Sequence, residues 1–410
     1  MKQVIVIGGG PAGMMAAISA GSAGHKVLLL EQNEKLGKKL YITGKGRGNF
    51  TNSADISDFF DKIIHNPSFL YSALYGFSNR ALLSFFEENG LKWKEERGGR
   101  IFPLSDHASD ITKALTRALH HSQIEIRTDS KVMALINDGS RRVCQVKTSD
   151  GEYIACDHVI VATGGLSYPS TGSTGDGLLF ARDLGLKVVD PLPALVPLET
   201  IEPDIPGMQG LSLKNVSLSV SDNRKILYEG FGELLFTHFG ISGPLALSAS
   251  SHITKRLSGS STLAGTIDLK PAITTEELDK RLIRQADSMG SRNFSRFFEG
   301  ILPKKLQPVI IDRSGIDPSS KIAALSKAQR SRILTLLKGF SFTISKTRGF
   351  SEAIITQGGV SVKELDPRNM RAKSFEGLSF AGEVIDVDAL TGGFNLQIAF
   401  STGYLAGMGV

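Results

Sequence analysis

The chain opens on a strand, a glycine turn and a helix start: Val4-Ile5-Val6-Ile7 runs directly into Gly8-Gly9-Gly10-Pro11-Ala12-Gly13. A βαβ unit grips a dinucleotide pyrophosphate in this way. Gly8 permits the tight turn, Gly10 lets the backbone approach the phosphates, and Gly13 lets helix and strand pack closely, while unpaired N–H groups at the helix N-terminus face the negative charge. The context fits as well. An Ala-rich helical run covers Met14 to Ala20, and a second apolar strand, Lys26 to Leu30, ends in Glu31 at the spacing of a ribose hydroxyl partner. The segment is therefore committed to a Rossmann-like fold.

At 410 residues the chain exceeds the size at which one core keeps growing, so more than one domain is expected. Up to about residue 190, strands and helices alternate. Phe77 to Gly90 and Ala108 to His121 have helical apolar spacing, Gly99 to Pro103 reads as a short strand or loop, and Asn137-Asp138-Gly139 is a turn between strands. Asp157 to Gly165 is an apolar strand closing on small residues. Beyond Pro191, Pro193, Pro197, Pro203 and Pro206, the segment Leu211 to Val220 alternates apolar and polar residues, as a β-strand with one exposed face does. Capping boxes begin at Thr274 and Ser326. The expected class is α/β: a Rossmann-like domain from 1–190 and 347–410, an inserted β-rich domain over 191–271 completed by 340–346, and a helical insert over 272–339.

Composition narrows the function. Cys144 and Cys156 give no disulfide framework, redox pair or metal spacing, and no metal is expected. Their scarcity suits a reducing cytoplasm. The N-terminal apolar run belongs to the βαβ unit and lacks the flanks of a cleavable signal, and no stretch is apolar enough to span a bilayer, so no stable membrane association is expected. The net charge of +6 is spread along the chain without a recognition motif, which argues against nucleic acid as a partner and for a small-molecule substrate. One cluster, Lys35, Lys38, Lys39, Lys45 and Arg47, falls where a pyrophosphate needs countercharge.

Two further segments carry chemistry. Gly44-Lys45-Gly46-Arg47-Gly48-Asn49-Phe50-Thr51-Asn52 interleaves glycines with polar side chains and offers donors at close range to a polyanionic, planar ligand. Near the end, Gly382-Glu383 is followed by Thr391-Gly392-Gly393-Phe394-Asn395 and a helix from Leu396 to Ala406. With the first turn, with Tyr168 to Gly177, and with Leu235-Phe236-Thr237-His238-Phe239-Gly240-Ile241-Ser242-Gly243-Pro244, these strings resemble the BaiN/YhiN-like FAD-dependent flavoproteins, a family that includes aminoacetone-oxidase-type enzymes. The likeness runs over the whole chain, in order. It departs at Gly48, where the family's loop commonly has Cys.

The resemblance implies non-covalent FAD held by a domain made from both termini. The expected cofactor residues are Gly8, Gly10, Pro11, Ala12, Gly13, Glu31, Gln32, Lys39, Gly44, Arg47, Gly48, Asn49, Thr51, Val132, Ala162, Thr163, Gly164, Gly382, Glu383, Gly392, Gly393, Phe394 and Asn395. Glu383 is expected to meet a ribityl hydroxyl, and the helix after Asn395 to stabilise charge that develops on the flavin. Candidate catalytic side chains are His238, as an acid/base or a structural histidine, Tyr168 on the substrate side or packed in its turn, and Arg100, paired with an anionic substrate or with a surface carboxylate. Gly172 to Gly177 lacks the spacing of a second dinucleotide turn, so NAD(P)H would be a transient electron donor. The expected activity is that of an FAD-dependent oxidoreductase, with NAD(P)H-dependent reduction of an activated C=C bond ahead of two alternatives, an oxidase of a small amine or aminoketone and an FAD-binding RNA-associated protein.

Overall fold

The apolar runs read from the sequence become strands buried on both faces. β1 (Gln3–Ile7), β2 (Lys26–Leu30), β3 (Glu125–Arg127), β4 (His158–Val161) and β5 (Leu378–Phe380) form one parallel sheet in the order β5-β4-β1-β2-β3. Val4, Ile5 and Val6 are fully buried at its centre. A parallel strand covered on both faces needs this unbroken apolar pattern. From β1 the chain goes to β2 on one side and β4 joins on the other. That reversal leaves a crevice beyond the carboxyl ends of β1 and β4, where ligands bind in open α/β sheets.

The computed structural model describes residues 1–259 and 261–410. It divides into two units, Met1–Pro193 with Phe350–Val410, and Ala194–Gly349. In the first unit, α1 (Pro11–Ser22) follows β1 and packs against α2 (Phe394–Met408) from the other end of the chain. Small residues make the approach possible: a Cβ at Gly403 would stand 2.3 Å from the Ala12 carbonyl oxygen. The two termini thus build one layer. An antiparallel three-stranded sheet of Val132–Asn137, Val143–Thr148 and Tyr153–Ala155 is inserted before β4, its first two strands joined across the turn expected at Asn137-Asp138-Gly139.

The second unit contains a closed barrel of six strands, with Leu198–Thr200, Ser212–Asp222, Lys225–Phe236, Gly240–Ser242, Leu263–Asp268 and Phe340–Thr347. Both capping boxes form, Thr274 with Glu277 and Ser326 with Gln329, and start the helices Thr275–Met289 and Lys327–Lys338. These helices bury Leu278, Leu282, Ile333 and Leu337 in the same cluster as the barrel's Phe236 and Phe340. Barrel and helices therefore share one core. Among the described residues, no helix is long and apolar enough to cross a membrane.

Candidate active site

The crevice at the strand ends is a cleft of about 1330 Å³ including its open mouth, lined by residues of the first unit. Its floor is the first turn, where Gly8, Gly10, Pro11 and Ala12 face the space. Three glycines there do different work. Gly8 has φ +104° and Gly13 sits so close that a Cβ would meet the Gly8 carbonyl oxygen at 1.8 Å, whereas a Cβ on Gly10 would meet nothing within 4 Å. Gly8 and Gly13 hold the turn together, and Gly10 leaves room for a ligand. Pro11 at the first helical position leaves α1 with its N-terminal N–H groups beside the cleft.

Glu31, Gln32 and Lys39 form one side. The Glu31 carboxylate is pinned by its own chain: the Gly9 N–H donates to Oε2 at 2.6 Å, and Asn33 donates to Oε1 from its backbone at 2.8 Å and its side chain at 2.7 Å. It keeps acceptor capacity for hydroxyl groups. Val132, Ala162, Thr163 and Gly164 form the opposite side, and the C-terminal segment contributes Gly382, Glu383 and Asn395. Lys39 bridges these walls, with its Nζ 2.7 Å from Glu383 Oε2 and 2.5 Å from Ser167 Oγ. Ser167 Oγ and the Thr356 N–H donate to Glu383 Oε1 at 2.5 and 2.8 Å. Burial pushes the Glu383 carboxyl upward, but the Lys39 charge and the three donors outweigh it and hold it below the ordinary glutamate value. Glu383 is thus an anion fixed in place.

The loop 44–52 is placed differently. Among the described residues, Gly13, Gly44, Arg47, Gly48, Asn49, Thr51, Gly392, Gly393 and Phe394 do not line the cleft. Arg47 is bound to Glu96 and Asp106 and lies over the Phe102 ring. Gly48, at φ +76°, faces the start of the helix Ser109–His121, where a Cβ would meet Ala108 Cα at 2.9 Å. Asn49 Nδ2 donates to the carbonyls of Thr51 and Ile101, and Thr51 Oγ1 donates to the buried Gln397. Gly393 lies against the Thr51 backbone, its Cβ position 2.2 Å from the carbonyl oxygen, and the Phe394 ring packs edge-on against Phe59. The Gly392 carbonyl accepts from Asn52. This loop and the terminal motif bind each other and thereby shape the end of the wall that carries Asn395.

Of the cluster expected to countercharge a phosphate, Lys38 and Lys39 line the cleft, while Arg47 is consumed by carboxylates. Arg100 pairs with Glu96 at 3.7 Å and Tyr168, at φ +53°, starts the turn Pro169–Thr171; neither lines the cleft. His238 belongs to the second unit, exposed on the turn between two barrel strands, its ring edge-on to Phe239. Sequence reasoning missed Ser130, Lys131, Thr356 and Val387 on the walls. Lys131 continues into Val132, and its pairing with Asp176 at 3.4 Å is a long-range event that no local pattern announces.

The residues present fit FAD. A glycine turn at a helix N-terminus suits a pyrophosphate, the open side of Gly10, where a Cβ would meet nothing within 4 Å, leaves room for it, and Glu31 suits a ribose.

Comparison with known proteins gives a consistent picture. The model of the HI0933-like protein Rossmann domain matches residues 2–409. A 3-dehydro-bile acid delta(4,6)-reductase of Clostridium scindens is 33% identical over 99% of this chain and 98% of its own. A ribosomal RNA dihydrouridine synthase of Haemophilus influenzae is 31% identical over 100% of this chain and 98% of its own. Among solved structures, a 3-ketosteroid-delta4-(5alpha)-dehydrogenase from Rhodococcus jostii shares the fold at a TM-score of 0.54 and 14% identity, covering 100% of this chain and 96% of that one.

Proposed function

The chain belongs to the HI0933-like family, and on that premise we propose that it is an FAD-dependent oxidoreductase that adds two hydrogens across a carbon–carbon double bond conjugated to a carbonyl. The observation that carries the reading is the cleft itself, walled by both ends of the chain at the strand-order reversal, with an open position at Gly10. In this reading 1–190 and 347–410 are the FAD-binding domain, 191–271 completed by 340–346 is a β-rich insert, and 272–339 is a helical insert.

The first turn and α1 hold the pyrophosphate, Glu31 and Gln32 the ribose end, Val132 and Ala162 the adenine side, and Glu383 a ribityl hydroxyl. FAD, when bound, supplies a carrier that accepts a hydride and passes it on. The protein's part is to orient the cofactor, keep Glu383 ionised against Lys39, and bring the start of α2 to the wall at Asn395, where a helix N-terminus favours negative charge. A reduced nicotinamide enters as a transient donor. Relatives that match along nearly their full length support the bond type, since a delta(4,6)-reductase and a dihydrouridine synthase are both named for reduction of a double bond. With two free cysteines and no membrane helix among the described residues, we assign it to the cytoplasm.

A second reading of the substrate, a uridine within ribosomal RNA, is favoured by the dihydrouridine synthase relative and by the net charge of +6. One experiment separates the readings. The holoprotein is mixed anaerobically with NADH or NADPH while the flavin absorbance is followed, and then with a 3-oxo steroid carrying a conjugated double bond or with ribosomal RNA lacking dihydrouridine. Bleaching followed by return of the yellow colour, with a product two hydrogens heavier, is expected. A flavin that stays oxidised with both nicotinamides but bleaches with a small amine or aminoketone would replace the reductase with the oxidase.

A further inference from the structure

Beside the cleft wall lies a cluster to which neither the cofactor contacts nor the relatives assign a role. The short strands Ile63–His65 and Asp388–Ala389 pair in register at His65 and Asp388. His65 Nδ1 stands 2.5 Å from Asp388 Oδ1, and its Nε2 stands 3.0 Å from Gln357 Nε2. Asp388 is fully buried and Gln357 is 8% exposed, whereas the His65 side chain is 36% exposed. None of the three lines the cleft itself, but Gln357 and Asp388 each directly follow a residue that does, Thr356 and Val387. Ala389 is tied by its N–H and its carbonyl to the side chain of Asn395, another lining residue.

Two buried acceptors in this cluster, Asp388 Oδ2 and Gln357 Oε1, have no partner among the described residues. A purely structural pin would not leave them so, because each buried unsatisfied acceptor costs about 1–3 kcal/mol. Nor is the pin needed. Asn66, at φ +54°, already staples the two segments by donating to the Asp386 carbonyl at 2.6 Å and to its carboxylate at 3.1 Å.

We propose that His65, held by Asp388 and Gln357, is the proton donor of this site. The inference rests on the reading of the protein as a C=C reductase. In that reaction the alkene receives a hydride at one carbon, its electron pair drawn from the reduced nicotinamide, and a proton at the carbon next to the carbonyl. One C=C π bond is lost and two C–H bonds form. His65 gives the proton from Nε2, leaves as neutral imidazole, and is reprotonated from water.

The geometry suits the task. Asp388 fixes Nδ1 as the nitrogen that keeps its proton, so Nε2 is the one that exchanges. In the structure Gln357 donates to Nε2; rotated by half a turn, its amide presents Oε1, which then accepts from a protonated Nε2. Gln357 can therefore serve both states of the ring, and its unpartnered oxygen is accounted for. Asp388, from the paired strand, is a charged group in direct contact with His65, Asp386 is held nearby by the adjacent Asn66, and Gln357 on the strand Ile355–Val360 is neutral.

The test uses holoprotein of wild type, H65Q and D388N. Flavin bleaching by NADPH and its reoxidation by the conjugated enone or RNA are timed separately across pH. In H65Q the ratio of reoxidation to reduction rate falls about 100-fold or more, and the decline of reoxidation toward high pH seen in wild type disappears. In D388N the ratio falls about tenfold and that decline moves along the pH axis. A ratio within twofold of wild type in H65Q overturns the assignment. If wild type is not reoxidised by either acceptor, the reductase reading fails and the assignment falls with it. Where wild type does turn over, imidazole 15N NMR of wild type and D388N checks the tautomer: a proton on Nδ1 that D388N displaces supports the assignment, and a wild-type ring with Nδ1 bare contradicts it whether or not H65Q folds.

Discussion

Gly8 to Gly13 and Gly44 to Asn52 are both short, glycine-rich and followed by elements that pack tightly, yet the first opens on the cleft and the second closes on itself. In the first, backbone donors and the vacant side of Gly10 point into space. In the second, every polar side chain named as a ligand contact has a partner within the chain: Arg47 in Glu96 and Asp106, Asn49 in two carbonyls, Thr51 in Gln397. Glycine content signals close approach of backbone to something. Only the surrounding partners say whether that something is a ligand or another loop.

Four substitutions sharpen the contrast. Gly13→Ala places a methyl group into the Gly8 carbonyl, a contact of 1.8 Å that the turn cannot relieve without moving β1 from α1. It is expected to lower unfolding stability by about 3 kcal/mol or more, read from urea denaturation, with loss of FAD. Lys39→Met strips the partly buried Glu383 of its cation, at a cost of about 3 kcal/mol. The pH dependence gives the sign. Glu383 is held below its ordinary value in the folded protein, so its contribution is present above pH 4.5 and is lost as pH falls through the folded value. Stability of wild type should drop in that acid window, and Lys39→Met should flatten the drop.

Gly48→Ala sets a side chain at φ +76° against Ala108 and Ile111. A loss of about 1–3 kcal/mol is expected with FAD content retained, because the strain lies on the face away from the cleft. If FAD were lost while stability held, Gly48 would belong with the ligand contacts. Smallest is Arg47→Met. Its ion pairs with Glu96 and Asp106 are about a third exposed, so the change should cost little stability and that cost should shrink with added salt, with FAD affinity within about twofold of wild type.

The sequence makes the first wall legible because its geometry is local: strand, turn, helix and Glu31 follow from spacing alone, and the capping boxes at Thr274 and Ser326 form as their residue types require. The whole-chain resemblance extends that to Glu383 and the terminal motif. What local reading could not reach is set by distance along the chain. Asp388 meets His65 across 323 positions, and Thr356 enters the wall from a strand that shows only an all-buried pattern. Arg47 is the instructive opposite case. Its charge invites an anion, and two carboxylates of the same unit take it.

The central claim is that the cleft over Gly10 holds FAD. Gly10 lies at φ −78° and ψ −179°, a backbone that any residue adopts, with nothing within 4 Å of its Cβ position, so Gly10→Val should fold as wild type does. The deciding measurement is the FAD content of wild type and Gly10→Val purified side by side, with thermal unfolding of each apoprotein as the control. A yellow wild type beside a colourless variant of equal apoprotein stability is the predicted result; a variant that carries FAD as fully as wild type would contradict the account.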